Sequence, residues 1–260
     1  MPKAMLIDIT QCIGCEACSE ACREVNKLPK NGPKQLHADT YQVVEQIGPD
    51  QYVRRQCMHC LNPACVSVCP VGALEKNEEF GCVTWVGDKC LGCRYCMMSC
   101  PFNIPRYEWT SPNPEVRKCV FCLERQQKGQ PPACAEACPT GATKYGDREA
   151  LLKEAAERIT ANPKGYVNHI YGQTEIGGTS FLYLSPVPFE MLHLPGSLPT
   201  EEMPEYTWKV LSQIPHIVLI GGVFLGGMKW LTNRKNEILK VDSKPGTGSE
   251  APADKEKSHE

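Results

Sequence analysis

Four short stretches carry a regular pattern of apolar and polar positions. In Arg148–Ala161 the apolar residues Leu151, Leu152, Ala155, Ala156 and Ile159 recur at helical intervals. Asn162-Pro163 closes that run, so the pattern predicts a helix with Asp147 as its N-cap. Thr179–Leu184 follows Gly177-Gly178 and predicts a strand, and Gly81–Val86 is a second strand-like run. Leu211–Met228 differs from these: it is 18 residues without a formal charge when His216 is neutral. As a helix it would measure about 27 Å, close to the roughly 30 Å of bilayer hydrocarbon. Pro215 falls near its start, where proline is tolerated. Trp208 and Trp230 bracket it as interfacial aromatics do, and Gly222 and Gly226 offer a G-x-x-x-G face to a partner helix. The segment predicts a single membrane anchor, with a buried core helix as the competing reading.

Outside these stretches the chain is punctuated by 22 prolines and 21 glycines, which suggests loops over long regular elements. Residues 165–205 are broken by prolines at 186, 188, 195, 199 and 204. They predict an extended arm that either wraps its own domain or docks on a partner, and docking is the favoured reading. A conventional apolar core looks thin. The last residues are rich in Pro, Gly, Ser, Lys and Glu and predict a disordered tail over 236–260. Net charge is −2, which argues against a nucleic-acid partner.

Cysteine changes the picture, with 17 in 260 residues. Sixteen fall in four groups: Cys12, Cys15, Cys18, Cys22; Cys57, Cys60, Cys65, Cys69; Cys90, Cys93, Cys96, Cys100; and Cys119, Cys122, Cys134, Cys138. Disulfide frameworks belong to small secreted scaffolds, and zinc ribbons space their C-x2-C pairs a dozen or more residues apart. The first and third groups read C-x2-C-x2-C-x3-C, the iron–sulfur run in which three cysteines hold one cubane and the fourth reaches another. Pro70, Pro101 and Pro139 follow the fourth cysteine of groups two, three and four, whereas Arg23 takes that place in group one. Gly14 and Gly92 precede the second cysteine and allow close backbone approach with positive φ. Cys82 lies outside every group and reads as a small buried hydrophobe. His59, inside C-M-H-C, reads as a neighbour of the site, or exposed, rather than a ligand.

The groups alternate. One and three share C-[IL]-G-C-x2-C; two and four share P-A-C-x3-C-P-x-G-A, the second copy having seven extra residues before it. Such self-similarity predicts two related ferredoxin-like units of two clusters each. Spacing leaves their pairing open: sequential (one with two, three with four) or nested (two with three, one with four).

Residues 5–146 resemble the four-cluster iron–sulfur subunits of respiratory complexes. These are the beta subunit of membrane-bound formate dehydrogenase, the electron-transfer chain of dimethyl sulfoxide reductase, and the ferredoxin-like subunit of membrane-bound NiFe hydrogenase. The stretch Cys93–Trp109, C-R-Y-C-M-M-S-C-P-F-N-I-P-R-Y-E-W, is most like the hydrogenase and formate dehydrogenase members. The resemblance implies nested pairing and four 4Fe–4S clusters. Cys12, Cys15, Cys18 and Cys138 would hold one, and Cys119, Cys122, Cys134 and Cys22 its neighbour. Cys57, Cys60, Cys65 and Cys100 would hold a third, and Cys90, Cys93, Cys96 and Cys69 the fourth.

The expected architecture is α+β and loop-rich. A tandem ferredoxin-like domain at 1–147 is followed by a helix and docking arm at 148–205, one transmembrane helix with its flanks at 206–235, and the tail. No H-E-x-x-H, G-x-S-x-G, Walker or G-x-G-x-x-G motif is present, so no catalytic site is expected. The expected role is relay of electrons between a catalytic redox subunit and an integral membrane cytochrome b or quinone-reactive subunit. The rival is a soluble polyferredoxin feeding a cytoplasmic enzyme. Lys229, Arg234, Lys235 and Lys240 follow the apolar segment, while Lys209 alone precedes it closely. The positive-inside rule then puts the C-terminus in the cytoplasm and the cluster domain on the periplasmic side. The first residues show no apolar signal-peptide core. The formate dehydrogenase resemblance implies export already folded, with a partner that bears the signal.

Overall fold

The computed structural model describes residues 2–112 and 114–242, Val241 and Asp242 by backbone alone. It divides into two units, Met1–Thr207 and Trp208 onward. In the first unit the strands are β1 (Lys3–Asp8), β2 (Gln42–Gly48), β3 (Gln51–Gln56), β4 (Leu74–Asn77), β5 (Cys82–Trp85), β6 (Arg106–Tyr107), β7 (Val116–Arg117), β8 (Thr143–Asp147) and β9 (Phe181–Leu184). Short helices α1 (Ala17–Val25), α2 (Ala64–Ser67), α3 (Tyr95–Met98), α4 (Leu123–Gln127) and α5 (Ala133–Glu136) sit among the cysteines, and α6 (Arg148–Ala161) is the expected amphipathic helix.

A three-stranded sheet of order β8-β1-β9 is the platform. β1 reads Lys-Ala-Met-Leu-Ile-Asp, a nearly continuous apolar run, because both of its faces are covered. Ala4 and Leu6, with Leu182 and Leu184 of β9, pack under Leu151, Ala155 and Ile159 of α6. Met5, Ile7, Phe181 and Tyr183 point to the other side, into the core that holds Cys57 and Cys134. The alternation of a strand thus separates a plain aliphatic layer from the cysteine-bearing one. β1 runs antiparallel to β8, with Ile7 opposite Thr143, and parallel to β9. Three hairpins (β2–β3, β4–β5 and β6–β7) complete the described strands.

Two details depart from the expectations. Asp147 occupies the N-cap position of α6, but its side chain makes no cap hydrogen bond. It accepts one from Lys3 Nζ instead, at 2.8 Å. Residues 165–205, expected to dock on a partner, are woven into their own domain. Ile176, Phe181, Tyr183, Phe189, Leu192 and Leu194 are all core residues. The Arg148 guanidinium donates to Thr179 O at 2.9 Å, and Tyr171 Oη donates to Pro195 O at 2.9 Å. The prolines interrupt regular structure without removing the apolar side chains between them. Those side chains fill a core that the cysteine-rich segment is too polar to fill alone.

In the second unit α7 (Met203–Leu211), which begins within the first, is followed by α8 (Ile214–Asp242). Together they include a helical stretch long and apolar enough to cross a membrane. Ile217, Val218, Leu219, Ile220, Val223, Phe224 and Leu225 of α8 are all exposed. Most of the predicted tail lies outside the described residues.

Leu182 is fully buried between α6 and the cysteine layer. Leu182→Ala is expected to lower unfolding stability by about 2–5 kcal/mol, the usual cost of a core leucine truncation, read from denaturant titration of the intact protein.

Candidate metal centres

Strand pairing brings cysteines from distant groups together. Cys12 lies five residues after Ile7, and Cys138 five residues before its strand partner Thr143. Both therefore leave the same end of the β1–β8 pair. The β4–β5 hairpin repeats the relation: Cys69 is five residues before Leu74, and Cys90 five residues after its partner Trp85. The short helices follow suit. α1, carrying Cys18 and Cys22, packs on α5, carrying Cys134. α2, carrying Cys65, packs on α3, carrying Cys96.

The result is visible around each thiol. One cavity is lined by Cys12, Cys15, Cys18 and Cys138 together with Arg54. Burial raises the Cys22 thiol pKa, and Cys134 and Cys122 raise it further. Cys119 is raised well above the ordinary thiol value by burial and by Cys22, Cys57, Cys122 and Cys134. Cys65 is pushed up to about 12 by burial, then by Cys57 and Cys100 among others. Cys96 is pushed up to about 11 by burial and by Cys90, Cys93 and Cys69. Thiols of different groups act on one another as the nested arrangement expects: Cys22 with Cys134 and Cys122, Cys65 with Cys100, and Cys96 with Cys69. Adjacent assemblies also touch electrostatically: Cys18 acts on Cys134, Cys57 on Cys119, and Cys96 on Cys65.

Cys69 and Cys138, the last cysteines of the two C-P-x-G-A runs, behave oppositely. Burial raises each, but the following turn outweighs it and holds both below the usual value, through backbone N–H groups at Cys69 and through the Thr140 hydroxyl and then backbone N–H groups at Cys138. Ala73 N–H donates to Cys69 Sγ at 3.2 Å. Phe121 N–H donates to Cys119 Sγ at 3.3 Å. Donors aimed at sulfur favour thiolate over thiol and tune whatever the thiolate binds.

Among the described residues no three His, Cys, Asp or Glu donors converge where one metal ion would sit. The thiols of the first cavity surround open space. That suits a polynuclear group met from several sides better than a lone tetrahedral zinc. The donor set is soft sulfur throughout, in keeping with iron–sulfur chemistry.

The loops obey the same logic. Gly14 and Gly92 have φ of +68° and +71°. Glu16 and Arg94, next to the second cysteines, also adopt left-handed backbone, which turns the chain into α1 and α3. Pro63 and Pro132 stand at the N-caps of α2 and α5 and set the third cysteines of their groups. Cys82 is fully buried on β5 and belongs to none of the four assemblies. His59 is fully buried too, stacked on Phe121 and Phe181 at 5.2 and 5.5 Å, with Nδ1 accepting from Val83 N–H at 2.8 Å. Burial, then Lys118 and Lys76, pushes its pKa well below the ordinary imidazole value. His59 and Phe121 hold equivalent positions in C-M-H-C and C-V-F-C, so the repeat explains the stack. Three polar residues went unnoticed in the sequence: Arg54, Lys76 and Lys118. Lys118 could have been flagged by its place beside Cys119. Arg54 carries no such signal, because Arg54-Arg55 gives no hint which arginine turns inward.

Two models of a 4Fe–4S dicluster domain match the chain, over residues 4–70 and 50–148, and account for four 4Fe–4S clusters. A protein of Nitratidesulfovibrio vulgaris is 41% identical over 251 residues, covering 90% of this chain and 68% of the relative. The hydrogenase-2 operon protein HybA of Escherichia coli O157:H7 is 37% identical over 237 residues, covering 74% and 72%. The formate dehydrogenase-O iron–sulfur subunit of Escherichia coli K12 is 37% identical over 202 residues, covering 70% and 66%.

A Cβ on Gly14 would lie 2.4 Å from the Tyr52 ring, whereas one on Gly129 meets nothing within 4 Å; both have left-handed φ. Gly14→Ala is expected to cost about 2–5 kcal/mol, strain plus overpacking, and Gly129→Ala about 1–2, strain alone. Parallel thermal melts measure the difference.

Proposed function

The chain belongs to the family of 4Fe–4S dicluster subunits that includes HybA and the formate dehydrogenase iron–sulfur subunits, and on that premise we propose that it is a non-catalytic electron relay. Its two ferredoxin-like units are nested, the second inserted in the first. Cys12, Cys15, Cys18 and Cys138 ligate the first cluster; Cys22, Cys119, Cys122 and Cys134 the second. Cys57, Cys60, Cys65 and Cys100 ligate the third, and Cys69, Cys90, Cys93 and Cys96 the fourth. A cubane in each set supplies one-electron chemistry. The convergence of Cys138 with Cys12, Cys15 and Cys18 on one cavity carries this reading.

The succession of neighbouring thiols supports a linear path from the first set to the fourth, by way of Cys18–Cys134, Cys57–Cys119 and Cys65–Cys96. Each end has an apolar surface for a partner. Ile13 is exposed beside Cys12, and Leu91, Tyr95 and Met98 are exposed beside Cys90, Cys93 and Cys96, Met98 at 84%. One end would meet a catalytic redox subunit, of the hydrogenase or molybdenum/tungsten formate dehydrogenase kind. The other would meet an integral membrane cytochrome b or quinone-reactive subunit.

The exposed apolar surface of α8 supports a membrane anchor. Basic residues after the apolar segment support a cytoplasmic C-terminus and a cluster domain on the periplasmic side. The domain would cross already folded, together with a partner that bears the export signal.

Anaerobic protein purified in mild detergent is expected to be brown, with broad absorbance near 400 nm and about sixteen irons per chain, four for each of four cubanes. Cys138→Ser and Cys12→Ser should perturb the same EPR signal, and Cys69→Ser and Cys90→Ser another. Colourless, folded protein sinks the relay, and a signal shared by Cys138→Ser and Cys119→Ser alone sinks the nested ligation. Release from membranes by carbonate without detergent would favour a soluble polyferredoxin.

A further inference from the structure

Two cations are buried among the thiols with no carboxylate to answer them. Arg54 on β3 and Lys118 beside β7 are each 3% exposed. Arg54 donates from Nε to Gln56 Oε1 at 3.2 Å, from Nη1 to Thr143 Oγ1 at 3.4 Å, and from Nη2 to Met5 Sδ at 2.9 Å. Lys118 Nζ donates to the Val83 carbonyl and to Cys119 O, the latter at 3.1 Å. All five partners are neutral. Among the described residues neither cation has a carboxylate oxygen within 4.0 Å.

Elsewhere the chain pairs what it buries. Asp8, 1% exposed, takes Arg158 Nη1 at 2.7 Å, and the buried Glu175 takes His169 Nε2 at 2.5 Å. An arginine does not shed its proton inside a protein, and an isolated buried charge is too costly to persist unanswered. What faces Arg54 is sulfur: it lines the cavity of Cys12, Cys15, Cys18 and Cys138, and its partner Met5 Sδ lies 3.9 Å from Cys134 Sγ. It therefore stands between the first and second thiol sets. Lys118 precedes Cys119 of the second set, and Val83, whose carbonyl it meets, donates its N–H to His59 Nδ1, within the C-M-H-C of the third. Among the described residues the fourth set has no buried cation, Lys89 and Arg94 beside it being exposed.

We propose that Arg54 and Lys118 are built-in counter-charges of the cluster array, at the first–second and second–third junctions, each raising the reduction potential of the clusters it adjoins. The inference rests on the ligation proposed above. Reduction of a cubane adds one electron, breaks no bond and leaves the site one unit more negative. Burial disfavours that added charge, and a fixed cation in the same low-dielectric interior favours it. The pair thus eases the step an electron meets on entering the dry middle of the path. They act through space on the clusters and are positioning residues.

The test is a dithionite titration of the detergent-solubilised holoprotein, followed by EPR, with iron counted in the same samples. Arg54→Met is expected to lower the midpoint potentials of the first and second clusters. At a fixed applied potential their reduced-to-oxidised ratio should fall at least tenfold, or 59 mV for one electron. Lys118→Met should do the same to the second and third clusters and leave the fourth unmoved. Arg54→Lys keeps the charge and should keep the potentials. Where Arg54→Met does not retain iron, Arg54→Gln removes the charge with a polar side chain in place. Charge-removed variants with full iron and unshifted potentials overturn the proposal, as does an Arg54→Lys shift as large as that of Arg54→Met. Wild-type iron well short of about sixteen overturns the ligation instead.

Discussion

The antiparallel pairing of β1 with β8 is the constraint from which the cysteine arrangement follows. It sets Ile7 opposite Thr143 and so holds two points 136 residues apart in the chain at one sheet end. A further five residues on one strand and five on the other bring Cys12 and Cys138 to one cavity. The β4–β5 hairpin performs the same operation across a short turn, with the same five-residue offsets to Cys69 and Cys90. The repeat in sequence is therefore also a repeat in mechanics: an antiparallel pair fixes which fourth cysteine meets which first. In one copy the connection between the paired strands is a turn, and in the other it is nearly the whole cysteine-rich segment. That difference is what the proposed nesting of the two units would rest on.

A chain arranged in this way has little room for an ordinary core. The grouped cysteines sit on loops and short helices, and their thiols need open space between them, which packing would close. Apolar mass comes from elsewhere. Phe181, Tyr183, Phe189, Leu192 and Leu194 arrive from the proline-rich segment and pack against Met5, Ile7 and Met58. α6 covers the far face of the sheet with Leu151, Ala155 and Ile159. Parallel pairing of β9 with β1 fastens that segment beside the strand that sets the thiol geometry. Support for the sites thus comes from residues that carry no chemistry.

Electrostatics completes the arrangement. Most of the buried thiols are pushed up by desolvation and by one another. Binding of a cationic inorganic group reverses that balance, coupling proton release to assembly. Backbone N–H groups at the two C-P-x-G-A turns and the cations Arg54 and Lys118 work in the same direction. The polar groups of the interior form an environment suited to negative charge.

The sequence by itself determined the chemistry. C-x2-C-x2-C-x3-C and its alternation with the P-A-C-x3-C-P-x-G-A form specify soft sulfur donors in loops, because those spacings are too tight for a zinc ribbon and too regular for disulfides. It also determined α6, whose apolar residues keep helical period, the strand within Thr179–Leu184, the burial of Cys82, and the apolar helix near the C-terminus. These are local signals, each contained in a few turns of chain. Tertiary structure alone decided the pairing of groups in space, since spacing is identical for nested and sequential arrangements and only the β1–β8 contact tells them apart. It alone decided that Ile176, Phe181, Tyr183, Phe189, Leu192 and Leu194 of the 165–205 segment belong to the core, because prolines hide the pattern of apolar residues between them. It alone decided that Arg54 turns inward and Arg55 does not, since the face a strand residue takes depends on what packs against it.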